Sequence, residues 1–179
     1  MVQTHTQSAA TGILPAMART SSRTREEVLL AQARWANGVV EIGRAKLNGE
    51  DYRARARRFL SDLYAFESGI VLFKPTLAAE QPFRKTFNEA LSYFVGGDIP
   101  EDRGFALRPW ASVEFGDQHI MVVEEGALAM GEYFFTPHED PRQVVRVEYT
   151  FTYVRDEDGV LRIRSHHSSL PFAPEARAA

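Results

Sequence analysis

Apolar positions repeat at helical spacing in the first half of the chain and alternate in the second. Val28, Leu29, Trp35, Val39, Val40 and Leu47 predict a first helix, opened by the capping box of Thr24 and Glu27 and stopped at Asn48-Gly49. Asp51 caps a second helix reaching Tyr64, with Tyr52, Ala56, Phe59, Leu60 and Leu63 as its buried stripe. Arg53, Arg55, Arg57 and Arg58 form its solvated face. Pro75 breaks regular structure around 73–76. A third helix is predicted over 81–95, with Phe83, Phe87, Leu91 and Phe94 inward and Gly96-Gly97 as its stop. Beyond Phe105 the period changes to two, predicting strands over 113–115, 120–124, 127–136, 144–154 and 161–169. Turns fall at Glu125-Gly126, between Pro137 and Pro141, and at 156–159, the last a hairpin. Helices followed by a meander predict an α+β domain in which N-terminal helices pack on a curved antiparallel sheet and a cavity opens at one end.

The last strand ends unusually. Strict alternation puts Leu161, Ile163, Ser165, His167 and Ser169 on one face and Arg162, Arg164, His166 and Ser168 on the other. The first face begins apolar and turns polar, as expected where a core opens into a small polar pocket. On that reading His167 and Ser169 line the pocket, with His166 and Ser168 behind them. The preceding strand presents Val145, Val147, Tyr149, Phe151 and Tyr153 on one face, so Tyr149 can reach the same place. Thr76, after a break, and Tyr93, near a helix end, can supply hydroxyls from the helical side.

Composition narrows the chemistry. The 179 residues are 44% hydrophobic, which suits one domain over 23–173, with tails at 1–22 and 174–179. A net charge of −3 with interspersed signs gives no field for nucleic acid or an anionic membrane. Residues 1–22 contain no acid and no continuous apolar run, and read as a disordered tail or the remnant of a targeting segment. A cytoplasmic location is favoured, with periplasmic or secreted ones left open. The absence of cysteine removes thiolate nucleophiles, disulfides and cysteine-held metals, so chemistry must come from oxygen and imidazole. His166 and His167 point to opposite faces and there is no His-x-His pair, so no metal site is assigned. Nucleophile-elbow and phosphate-cradling motifs are absent.

Four segments carry a resemblance. Val71-Leu72-Phe73-Lys74-Pro75-Thr76, Ala90-Leu91-Ser92-Tyr93-Phe94, Ala129-Met130-Gly131-Glu132-Tyr133-Phe134-Phe135 and His166-His167-Ser168-Ser169-Leu170-Pro171 resemble the iota class of carbonic anhydrases over residues 26–172. That class is related to the association domain of calcium/calmodulin-dependent kinase II and to SnoaL-like proteins. The order of elements is similar to their cone-shaped nuclear transport factor two-like, cystatin-like fold. The resemblance implies reversible hydration of carbon dioxide to bicarbonate without a cofactor, although manganese or zinc is left open. It implies Thr76, Tyr93, His167 and Ser169 as the catalytic groups, His167 taking the proton, with His166 and Ser168 as second choices. Tyr149, Phe134 and Phe151 would form the carbon dioxide side. A homodimer through the outer sheet face, where Arg146, Glu148, Thr150 and Thr152 lie, is expected. The alternatives are a non-catalytic oligomerising hub that binds bicarbonate or another small carboxylate, and a SnoaL-like enzyme with a wider cavity and an Asp–His pair.

Overall fold

The computed structural model describes residues 13–174. Helix α1 (Ile13–Leu47) is followed by α2 (Tyr52–Leu63), the short strand β1 (Leu72–Lys74) and α3 (Phe87–Val95). A 3-10 turn (Phe105–Leu107) leads into β2 (Trp110–Val123), β3 (Gly126–Pro137), β4 (Val145–Arg155) and β5 (Leu161–Ser169). The sheet order is β1-β5-β4-β3-β2, antiparallel except for the parallel β1–β5 edge. The expected α+β arrangement and its curved sheet are present.

Helix α1 lies across the inner face of the sheet. Its indole, Trp35, is buried and stacks on Tyr133 of β3 with ring centroids 5.4 Å apart. Helix α2 crosses α1 at Gly38, where a Cβ would stand 2.4 Å from the Phe59 ring, so only glycine permits this approach. Asp51 caps α2 as expected, its carboxylate accepting from the Ala54 N–H at 2.9 Å. The hairpin between β4 and β5 also forms, with Gly159 at φ 77°. Among the described residues no helix is long and apolar enough to cross a membrane.

Several expectations need correction. Helix α1 runs through Thr24, so residues 13–22 are helical and not a disordered tail. Pro15 falls in the first turn, where its missing N–H costs nothing. Thr24 and Glu27 form no cap; both receive the Arg155 guanidinium, at 3.1 and 2.6 Å, which ties α1 to the end of β4. The rest of the expected N-terminal tail, residues 1–12, and residues 175–179 of the C-terminal one lie outside the described residues.

Helix α3 starts at Phe87, capped by Thr86 and Glu89, and residues 81–85 are not helical. The reason is tertiary. The Arg84 N–H bonds the Phe73 carbonyl at 2.8 Å as an antiparallel bridge, which leaves Phe83 exposed. The stretch expected to be irregular contains β1, whose Phe73 pairs with His166. The two short strands expected at 113–115 and 120–124 are one strand, β2, with a bulge between Phe115 and Gln118.

The correction with the largest consequence is a second bulge. Tyr153 pairs with Ile163, but its neighbour Thr152 pairs with Ser165, so β5 accommodates Arg164 as an extra residue. Alternation therefore changes parity within the strand. Leu161, Ile163, His166 and Ser168 are buried together, whereas His167 is exposed and Ser169 half-buried on the opposite face.

Candidate active site

A cavity of about 470 Å³ opens beside α3, the 3-10 turn and the inner face of the sheet. Thr76, Tyr93, Phe105, Trp110, Phe135 and Val147 are among its lining residues. Thr76 follows β1 directly, and Pro75 ahead of it is buried, which sets the chain's direction as it leaves the sheet. Tyr93 comes from the inward face of α3 and is buried, with the Leu77 backbone hydrogen-bonded to its phenol.

Behind Thr76 runs a continuous line of polar groups. The Thr76 hydroxyl donates to the Ser168 hydroxyl at 2.9 Å. Ser168 is a polar neighbour of Tyr133, whose hydroxyl lies 3.4 Å from His166 Nε2. His166 Nδ1 is 2.9 Å from the Tyr64 hydroxyl, which accepts from Trp35 Nε1–H at 2.9 Å. Aromatic rings hold the imidazole from two directions: Phe73 stacks on it at 4.7 Å and Phe151 meets it edge-on at 4.3 Å.

Burial sets the charge state of this cluster. Desolvation, with His167 as a secondary contributor, pushes the His166 imidazole well below the ordinary histidine range, so the ring is neutral at physiological pH. Desolvation likewise drives the phenols of Tyr64, Tyr93 and Tyr133 above the ordinary tyrosine value. The line consists of neutral groups, and all but Trp35 can both donate and accept.

An ion-pair clamp holds the loop that carries Thr76. Glu101 accepts the backbone N–H groups of Ala79, Glu80 and Gln81 at 2.8, 3.0 and 2.9 Å. Those bonds depress its carboxyl to about 2. Fully buried Arg84 donates to Glu101 at 3.3 Å, to Asp102 at 2.7 Å and to the Gln81 carbonyl.

Of the expected site residues, Thr76, Tyr93, His166 and Ser168 come together. His167 and Ser169 do not join them: the Arg164 bulge turns both to the outer face of the sheet. There they line a shallow groove with Asp117, His119, Met130 and Glu148. Phe134 also faces outward, since Tyr133 and Phe135 take the inner positions of β3. Tyr149 is on the inner face, but its hydroxyl accepts from Gln32 at 3.0 Å and donates to Gln118 at 3.1 Å, and it does not line the cavity beside Thr76. Phe151 is buried against His166 and is a wall of the imidazole's niche.

The residues missed from the sequence are Tyr133, Tyr64 and Trp35. Tyr133 had a usable signal, because strand parity places it inward with Phe135. Among the described residues no group of three or more His, Asp or Glu side chains could hold a metal ion.

With this geometry in view, the comparisons with known proteins are specific. A model of the metal-independent carbonic anhydrase family matches residues 26–170. The metal-independent carbonic anhydrase of Nostoc sp. strain PCC 7120 is 40% identical over 154 residues, which cover 83% of this chain and 74% of the relative. The crystal structure of a cyanobacterial iota-carbonic anhydrase complexed with bicarbonate is 37% identical, with a TM-score of 0.79, over 83% of this chain and 93% of that one. An NTF2-like protein of unknown function from Pseudomonas putida KT2440, 18% identical with a TM-score of 0.59, shares the fold over 89% of this chain and 94% of its own. This chain belongs to the metal-independent carbonic anhydrase family.

Proposed function

We propose that the cavity beside Thr76 and Tyr93 hydrates carbon dioxide reversibly to bicarbonate and a proton, with no metal ion taking part. The line of neutral polar groups from Thr76 through Ser168 and Tyr133 to His166 carries this reading. The neighbour solved with bicarbonate supports the choice of substrate.

The physical difficulty is the acidity of water, whose pKa is about 15.7 in bulk, far from what a neutral side chain can draw off. A hydroxyl relay avoids the difficulty. The water oxygen bonds to carbon, one C–O π pair moves onto oxygen, and the proton lost by the water crosses the hydroxyls of Thr76 and Ser168 to that oxygen. Carbonic acid leaves and ionises in solvent, giving bicarbonate and a proton. No buried side chain changes charge, which matters where an unpaired charge would be costly. Tyr93 and Ser168 donate to the oxygens on which charge grows. Phe105, Trp110, Phe135 and Val147 offer carbon dioxide an apolar wall. His166 anchors the line as a neutral ring in place of the proton-accepting role expected of His167.

The test is stopped-flow hydration on chelator-treated protein. Ser168→Ala should lower kcat/KM by about 100-fold, the scale for losing one donor to a developing oxyanion. His167→Ala and Ser169→Ala should stay close to the parent. A folded Ser168→Ala protein with full activity would sink the assignment, and bicarbonate binding without turnover in the parent would favour the hub reading.

The outer sheet face supports self-association as a dimer. Met121 and Met130 are exposed there, close to the polar positions Glu148 and Thr150. Sedimentation equilibrium with Met130→Glu would test it, and a monomeric parent would rule it out.

A further inference from the structure

Trp35 lies one hydrogen bond behind the group that holds His166, and an indole can only donate. Its Nε1–H points at the Tyr64 oxygen at 2.9 Å, and both side chains are buried. The Tyr64 hydroxyl lies 2.9 Å from His166 Nδ1 and has no third partner among the described residues. Suppose Nδ1 carried the proton. Tyr64 would then accept twice and its own O–H would be left buried with nothing to receive it, a penalty that biases the populations by about tenfold or more. With Tyr64 donating to Nδ1 instead, every group is satisfied and the ring proton sits on Nε2.

The polarity propagates outward. Nε2 faces the Tyr133 hydroxyl at 3.4 Å, a long contact in which Tyr133 now accepts. The Tyr133 O–H is thereby released to turn toward Ser168, its other polar neighbour. Ser168 also accepts at 2.9 Å from Thr76, which lines the cavity, so that bond leaves the Ser168 proton unused and able to turn toward the Thr76 side.

We infer that Trp35, acting through Tyr64, holds His166 as its Nε2–H tautomer, so that His166, Tyr133 and Ser168 donate in succession toward the cavity. Trp35 and Tyr64 are positioning residues. The catalytic consequence rests on the reading of the Thr76 cavity as the reaction site; the tautomer does not. In the opposite tautomer Tyr133 would donate to Nε2 and Ser168 to Tyr133, and the proton aimed at a developing oxyanion would be turned away from it.

Two-bond proton–nitrogen correlation spectra of the full chain labelled with 15N-histidine read the tautomer directly, with His166 identified as the ring missing from His166→Gln. The expected result is an unprotonated Nδ1 and a protonated Nε2. Trp35→Phe should move the His166 Nδ1 signal toward the protonated position and lower hydration kcat/KM about tenfold. A protonated Nδ1 in the parent overturns the inference, as does an unmoved His166 in folded Trp35→Phe. Should that variant not fold, Tyr64→Phe gives the same readout with the indole intact. An Nε2–H ring together with a fully active Ser168→Ala would leave the tautomer standing and move the reaction elsewhere.

Discussion

Thr76 and Ser168 join hydroxyls at 2.9 Å across 92 residues of chain, one leaving the parallel edge strand and the other near the end of its partner. The β1–β5 pairing creates this meeting. Leu72, Phe73 and Lys74 pair with Ser165, His166 and His167, so Thr76, two residues beyond Lys74, leaves β1 beside the end of β5 and meets Ser168, the residue after His167. Thr76→Val keeps the shape and removes the donor, and should reduce hydration kcat/KM by about 100-fold. Thr76→Ser should recover most of that loss. Equal activities for the two variants in stopped-flow hydration would show that the hydroxyl is not used.

His166 makes stability depend on pH in a definite direction. Its folded-state pKa is depressed by burial, so the unfolded chain binds a proton that the folded one does not. The contribution is fully present above the ordinary histidine value of about 6.5 and is lost as pH falls from there toward the lower folded value, at no more than about 1.4 kcal/mol per pH unit. Urea unfolding at pH 7.5 and pH 5.5 should show that loss in the parent and a smaller one in His166→Gln. A parent no less stable at the lower pH would mean that the imidazole is protonated in place.

Legibility in the sequence followed how local each cause was. Helix α2 could be read from its Asp51 cap and apolar stripe, and the β4–β5 hairpin from its turn, because each signal lies within the element it defines. The Thr24–Glu27 pattern was misleading for the opposite reason: a capping box predicts a start only where the chain upstream cannot be helical, and residues 13–22 can be. The bulge at Arg164 could not be read. Arg164 and Ser165 are both polar, so either parity satisfies hydropathy, and only the pairing with Thr152 and Tyr153 decides which histidine enters the core. Phe134 was misplaced because it sits in the unbroken aromatic run Tyr133-Phe134-Phe135, which hides the alternation.

Arg84 belongs to the same class of tertiary causes, and its loss should be severe. The guanidinium is fully buried with Asp102, also buried, at 2.7 Å and half-buried Glu101 at 3.3 Å. Arg84→Met removes the cation and leaves the Asp102 carboxylate without its charge partner, a change that costs about 3–5 kcal/mol. It also loosens the 79–81 segment that Glu101 holds through three backbone bonds. Thermal unfolding should show a Tm lowered by many degrees, and hydration should fall with it because Thr76 loses its support. A Tm within a degree or two of the parent would show that the clamp contributes nothing net.

The mouth of the cavity carries a charge asymmetry that should be visible in anion inhibition. Lys46, Arg103 and Arg108 line it together with Glu101 and Asp102. Both acids are engaged by Arg84, and Arg108 stacks over the Trp110 ring at 4.7 Å. Arg84 offsets one of the two acid charges, so the three cations outweigh the one that remains, and a small anion leaving or entering meets a rim of net positive charge. Each exposed charge contributes only about 0.2–1 kcal/mol, so Lys46→Gln with Arg103→Gln should raise the inhibition constant of nitrate by about 2- to 30-fold. Raising ionic strength with a weakly inhibiting salt should shrink the difference between parent and variant, since exposed charges are screened over about 10 Å at 0.1 M. Hydration assays with nitrate titrated at two ionic strengths measure both effects. An inhibition constant that neither substitution nor salt alters would place nitrate away from this rim.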